Sequence, residues 1–295
     1  MARMHADEVD IDADLVRRLL EEQLPHLSEL PIIRVRSTGT VNAIYRIGDD
    51  LYVRLPRVRD WADDLVNEAH WLPRLAPLLP LAVPEPVAMG VPAAGYPFHW
   101  AVYRWLDGQT YATDRVTDEC QTARDMAAFV AALQRIHLHG SRRSHRDLPL
   151  PLRDAEARSS IAALGPSFDK PAVTAAWERA LDAPAWDGES VWSHGDLLPP
   201  NVLVRDGHLT AVIDFGNVGV GDHALDVIPA WSMFGGTGRE EFRAALEVDD
   251  ATWARARGLA LHQSLLIIPY YVETNPGFMQ MATRTVDQVL ADLDR

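Results

Sequence analysis

The chain has 295 residues, 47% hydrophobic and 24% charged, with one cysteine and a formal net charge of −14. That length suits one or two domains with a sizeable core, and a lone Cys120 excludes an intrachain disulfide and fits a reducing cytoplasm. The negative balance argues against a nucleic-acid backbone as partner, and the acidic start "MARMHADEVDIDADL" lacks the apolar run of a signal peptide.

In chain order, "DADLVRRLLEEQLP" predicts a helix with Leu15, Leu19 and Leu20 on one side. "IIRVRSTGTVNAIYRIGDDLYVRLPR" predicts strands: apolar residues alternate around Gly39, a turn falls at Gly48-Asp49-Asp50, and "LYVRL" follows. "WADDLVNEAHWLPRL" carries Trp61, Leu65, Leu72 and Leu75 near helical spacing. "FHWAVYRWL" predicts a strand that ends at Asp107-Gly108. Helices dominate beyond it. "DECQTARDMAAFVAALQRIHLHG" predicts one long helix with Met126, Phe129, Val130, Leu133 and Ile136 inward. The tail from Ala251 to Arg295 predicts helices broken at Pro269 and Pro276, and its apolar stretch "HQSLLIIPYYV" is too short to span a bilayer. There is no internal repeat. The change of pattern near Tyr103 to Gly108 divides the chain into a mixed part, residues 1–103, a hinge, 104–108, and a helical part, 109–295.

The strongest local pattern is "NVLVRDGHLTAVIDFG". Asp206-Gly207 is a preferred type I′ turn pair between two apolar runs, so the segment predicts a hairpin. Counting back from the turn, Asn201 and Asp214 share one face at its open end, roughly 7–8 Å apart at the backbone. An amide oxygen and a carboxylate, with positions left for water and phosphate, suit Mg²⁺. Asp196 precedes Asn201 across a loop that holds Pro199 and Pro200. The prolines fix φ and predict an extended, stiff approach to Asn201. A carboxylate placed there is suited to accepting a proton from a hydroxyl that attacks a metal-bound phosphate.

His194-Gly195-Asp196-x-x-x-x-Asn201 followed by Asp214-Phe215-Gly216 resembles the catalytic loop and metal motif of the aminoglycoside phosphotransferase family, which is similar in fold to protein kinases. The resemblance implies an α+β, bilobal, protein-kinase-like fold: a small β-rich N-terminal lobe that binds nucleotide and a larger helical C-terminal lobe. It implies that Asp196 is the catalytic aspartate, that Asn201 and Asp214 hold Mg²⁺, and that His194 and Asp226 support the loop. The hinge "VYRWLDG" would place Tyr103, Arg104, Trp105 and Leu106 at the nucleotide. Trp231, Phe234, Tyr270, Tyr271 and Glu273 lie where the family lines its acceptor pocket. The implied reaction moves the γ-phosphoryl of ATP or GTP to a hydroxyl of a small molecule, with no nucleic acid or membrane as partner. The acidic balance is compatible with a cationic acceptor. An antibiotic such as an aminoglycoside or macrolide is one acceptor class, with a role in resistance. A choline-, homoserine- or sugar-type metabolite is another.

The N-terminal half departs from the kinase pattern. Kinases place a lysine on the third strand, paired with a helix glutamate. Here Lys170 is the only lysine, Arg54 in "LYVRLPR" takes the place, and Glu68 stands on the next helix. The phosphate-covering loop "RSTGTVNAIYRI" keeps one glycine, Gly39, beside Ser37 and Thr38. Those departures favour a second reading, a catalytically silent nucleotide-binding protein, whereas Asp196, Asn201 and Asp214 together oppose it. Arg54 and Glu68 also have a bland reading as a surface ion pair. His137, His139 and His145 straddle a helix end without the spacing of a zinc site, and Cys120 has no neighbouring base in the motif.

Overall fold

In the computed structural model, which describes residues 8–35, 41–112 and 115–293, the chain forms two units. The first takes the chain up to Leu78, then Ala82–Asp107 and Ala211–Gly216. The second takes Leu79–Leu81, Gly108–Thr210 and Asn217–Arg295. The boundary is therefore crossed more than once, and the segment around Asp214 belongs with the N-terminal strands rather than with residues 109–295.

The first unit is a five-stranded antiparallel sheet with two helices. Its strands are β1 (Ile32–Arg34), β2 (Asn42–Ile47), β3 (Leu51–Pro56), β4 (Pro86–Gly90) and β5 (Trp100–Arg104), in the order β1-β2-β3-β5-β4. The helices are α1 (Ala13–Gln23) and α2 (Ala62–Leu75). Asp12 caps α1 by accepting from the Leu15 amide at 2.8 Å. Leu15, Val16, Leu19 and Leu20 then share one core with Tyr45, Ile47, Val53, Leu55 and Trp100. The register sets Arg54 of β3 against Ile44 of β2 and Ala101 of β5.

Three short strands β6 (Gln109–Thr110), β8 (Val202–Arg205) and β9 (His208–Val212) form one sheet, all in the second unit but for the last two residues of β9, and β7 (Val191–Ser193) pairs with β10 (Gly219–Gly221). Helices α3 (Glu119–Gln134), α4 (Asp154–Ala163), α5 (Lys170–Leu181), α6 (Pro229–Ser232), α7 (Gly236–Leu246), α8 (Asp250–Tyr271) and α9 (Pro276–Leu293) make up the rest. α3 packs on α7, and α8 packs along α9. Asp206 and Gly207 both have positive φ, 54° and 79°, as a type I′ turn requires.

Three local expectations are corrected. The long helix predicted through Gly140 ends at Gln134. Arg135 is its C-cap, Ile136, a β-branched residue, comes next, and Gly140 has a φ of 92°, outside any helix. Pro269 does not break the tail helix. It sits inside α8 close to its C-terminus, where few residues remain beyond it, and Pro276 opens α9. Pro199 and Pro200 also do not extend the chain up to Asn201. Leu198 is extended, at φ −116° and ψ 158°, but Pro199–Asn201 close a 3₁₀ turn in which the Asn201 amide donates to the Leu198 carbonyl at 2.9 Å. Prolines fit the first turn of such a helix because their missing N–H would have no partner there.

Candidate active site

Arg54 points from β3 into the interior of the first unit, with its side chain 7% exposed. Its Nη1 donates to both oxygens of Glu68 on α2, at 2.7 and 2.6 Å, and Nη2 donates to Asp214 Oδ1 at 2.5 Å. With the Asn42 amide turned oxygen-inward, that oxygen accepts from Nη2 at 2.8 Å and Nε at 2.9 Å. One guanidinium thus spans two carboxylates and an amide, which a lysine ammonium lacks the planar fork to do. Glu68 is fully buried, so the surface-pair reading fails. Burial works against the charge on Arg54, but Asp214 and Glu68 hold its pKa well above the ordinary value. Burial pushes the Glu68 carboxyl up, against the pull of Arg54.

Asp214 follows β9 with φ 65°, a left-handed backbone that is uncommon for a residue with a side chain. Its side chain is 37% exposed, and Arg54 takes only one of its oxygens. Beside this group the Tyr103 ring stacks on Tyr52 at 5.2 Å, and Trp105 meets Tyr52 edge-on at 6.0 Å. The Tyr103 hydroxyl is buried without a hydrogen bond of ordinary geometry, and burial and then the Glu68 charge raise its pKa. Arg104 pairs with Glu85 at 3.2 Å on the surface. The sequence-predicted Ser37, Thr38 and Gly39 lie outside the described residues.

The second unit holds the loop after β7. Asp226, fully buried, accepts from the His194 amide at 2.7 Å and the Gly195 amide at 2.9 Å. Burial raises its pKa, whereas His194 and those two amides pull it down. Gly195 has φ 77°, and a Cβ there would stand 2.9 Å from Ser144 Oγ. The turn delivers Asp196, whose amide donates to His194 Nδ1 at 3.2 Å. Asn201 Nδ2 donates to the Asp196 carbonyl at 2.9 Å and reaches Asp196 Oδ2 at 3.3 Å. Gln263 Nε2, from α8, donates to Asp196 Oδ1 at 2.7 Å, and Arg146 Nη2 lies 3.9 Å from the same oxygen. His194 is buried.

Sequence reasoning missed Gln263, Arg146 and Asn42. Gln263 stands far along the chain from Asp196, and its one signal was a His262-Gln263 pair inside the apolar run "LALHQSLLII". Of the five acceptor candidates only the neighbours Tyr270 and Tyr271 meet, edge-on at 4.7 Å. Trp231 and Phe234 are buried in the core against Trp253 at 4.5 Å and Phe242 at 5.5 Å, because their apolar rings fill the space between helices. Tyr270 is exposed, Tyr271 packs edge-on to Phe278 at 5.2 Å, and Glu273 lies at the surface. Among the described residues no three His, Cys, Asp or Glu side chains gather for a metal, His137, His139 and His145 included.

Residues 32–259 match one family of known proteins. The chain belongs to the phosphotransferase enzyme family. The chain is 27% identical over 161 residues to the uncharacterized protein YcbJ of Bacillus subtilis (strain 168), a match that spans 53% of the chain and only half of that relative. Its fold is that of aminoglycoside and macrolide phosphotransferases, α+β and protein-kinase-like. The GDP and kanamycin complex of APH(2")-IIia superposes with a TM-score of 0.74 at 18% identity, covering 94% of this chain and 98% of that one. The macrolide 2'-phosphotransferase MphH from Brachybacterium faecium gives 0.60 at 23%, covering 94% and 98%. Among the described residues, no helix is long and apolar enough to cross a membrane.

Proposed function

We propose that this phosphotransferase moves the γ-phosphoryl group of ATP or GTP to a hydroxyl of a small molecule in the cytoplasm, with Asp196 as catalytic base. The observation that carries the reading is the loop in which buried Asp226 ties down the His194 and Gly195 amides while Asn201 and Gln263 fix the Asp196 carboxylate. A base held in this way loses little entropy when the hydroxyl arrives. An acceptor hydroxyl on Asp196 Oδ2 gives up its proton to that carboxylate as its oxygen attacks the γ-phosphorus, the bond from the γ-phosphorus to the β,γ-bridging oxygen breaks, and ADP or GDP leaves with the electron pair. Arg54, fixed by Glu68, holds the nucleotide phosphates.

By the hairpin pattern and the family resemblance Asn201 and Asp214 would hold a magnesium ion, and the donor chemistry of each residue fits one. Asn201 spends its Nδ2 on Asp196, which leaves its oxygen as the free donor atom. Asp214 keeps one oxygen that Arg54 does not take, on a partly exposed side chain. Two hard oxygen donors without a third carboxylate suit an ion that completes its shell with phosphate and water. When bound, Mg²⁺ neutralises charge on the transferred phosphoryl. A small acceptor is supported by the sequence after Gly216, which lacks the A-P-E element of protein kinases. Kanamycin in one neighbour and the macrolide enzyme among the others point to antibiotics as the first acceptors to try.

The test is Asp196→Asn. It should retain ATP or GTP affinity by calorimetry and lose transfer by about 10²–10⁴-fold against a panel of aminoglycosides, macrolides, amino alcohols and sugars. Turnover near wild type on an acceptor that the native enzyme phosphorylates would overturn the reading.

A further inference from the structure

We infer that Gln263 is a positioning residue for the phosphoryl-transfer base: from α8 it locks the Asp196 carboxylate so that Oδ2, and not Oδ1, meets the acceptor hydroxyl. The inference rests on the reading of Asp196 just given. Gln263 Nε2 donates to Asp196 Oδ1 at 2.7 Å, the shortest of that carboxylate's hydrogen bonds. Arg146 Nη2 stands on the same oxygen at 3.9 Å, with its side chain 41% exposed. Among the described residues, Oδ2 has only the long 3.3 Å contact from Asn201. The two oxygens are therefore unequal, one engaged and one available.

The other end of the amide supports a functional origin for this contact. Gln263 Oε1 is buried and makes no hydrogen bond among the described residues. A buried carbonyl oxygen without a donor is destabilising, and such groups in native folds call for an explanation. Turning the amide over would aim Oε1 at a carboxylate oxygen, which is repulsive. The unsatisfied orientation persists because Nε2 is committed to Asp196 in a charge-assisted bond. α8 is a rigid mount: His262, Ser264 and Leu265 on either side of Gln263 are buried.

The experiment uses the full chain and hydrolysis of ATP and GTP in Mg²⁺, with water as acceptor, so that no natural acceptor is needed. Gln263→Leu keeps the bulk and removes the donor. It should lower kcat by about 10- to 100-fold, with nucleotide KM and melting temperature unchanged. Gln263→Glu keeps the shape and sets a carboxylate against Asp196. It should be slower still, because whichever carboxyl holds a proton, Asp196 is no longer an available base. A packing role would reverse that order and favour the isosteric Glu. In the Asp196→Asn background, Gln263→Leu should cost nothing further. Unchanged kcat in Gln263→Leu, or equal losses in both backgrounds, overturns the inference while the role of Asp196 stands. Wild-type hydrolysis in Asp196→Asn, or none in the native enzyme, overturns the reading beneath it instead.

Discussion

His262, next to Gln263 on α8, shows how much a single buried side chain ties to pH. Arg153 Nη1 lies 3.3 Å from its Nδ1, and Glu156 Oε2 lies 3.2 Å from its Nε2. The ring is tilted against Trp177 at 5.8 Å. Burial, then the charges of Arg153 and Arg146, lower its pKa from 6.5 to about 3. Arg153 donates to Nδ1, so the neutral ring carries its hydrogen on Nε2. Between pH 6.5 and about 3 the unfolded chain binds a proton here that the folded chain refuses. Stability from this group is therefore complete above pH 6.5 and drains away as the pH falls towards 3. Each tenfold change in proton affinity corresponds to about 1.4 kcal/mol, so the loss over that window is on the order of a few kcal/mol. Urea midpoints measured from pH 7 to pH 4 should fall for the native chain and fall less steeply for His262→Phe. Parallel slopes would place the acid sensitivity elsewhere.

At the scale of elements, α8 carries more of the second unit than its sequence suggests. Its hydrophobic residues surround it, so no single apolar stripe marks an inward face: Leu259, Leu261, Leu265, Ile267 and Ile268 are all buried. Gly258 is the point of closest approach, where an added Cβ would lie 2.8 Å from the Ala180 Cβ and 2.9 Å from Leu150 Cδ1. Gly258→Ala would gain about 1 kcal/mol of helix propensity, yet overpacking of this kind costs about 1–3 kcal/mol. Two tight contacts make the overpacking win. The variant should melt several degrees below the native chain and lose kcat with it, since Gln263 rides one turn along the same helix. A melting temperature above the native one would show that α5, which holds Ala180, yields freely. The hairpin of β8 and β9 is the opposite case. Its Asp-Gly pair dictates the turn, and the alternation on both sides is legible in the residues alone.

For the whole molecule, legibility followed sequence distance. Asp196, Asn201 and Asp214 stand out because a short loop and a two-residue turn fix them relative to their neighbours. Arg54 and Glu68 stand out because a strand and the helix after it keep a regular offset. The brace from Asp226 needed the family resemblance, and the contact from Gln263 needed the packing of α8, which no local pattern encodes. The burial of Trp231 and Phe234 is not legible in the residues for a related reason. An aromatic side chain looks the same in sequence whether it fills a core or lines a pocket, and burial decided for the core. Pro269 was misread because helix-breaking depends on how much helix remains beyond the proline.

The arginine fork has a consequence for the order in which ligands assemble. Asp214 already has a cation, since Arg54 Nη2 holds one of its oxygens at 2.5 Å. On the proposed reading, a bare Mg²⁺ would reach the free oxygen of a carboxylate whose charge a fixed guanidinium already offsets, without phosphate oxygens to complete its shell. A metal that arrives already chelated brings those oxygens with it, and at the same time offers Arg54 a new anion in exchange. The ion should thus enter as cargo of the nucleotide and not ahead of it. Calorimetric titration of Mg²⁺ alone should give no binding heat at millimolar concentration, while Mg-ATP or Mg-GTP binds. In Arg54→Ala the preference should weaken, because the carboxylate loses its resident counter-ion and becomes a vacant seat for the first cation to arrive.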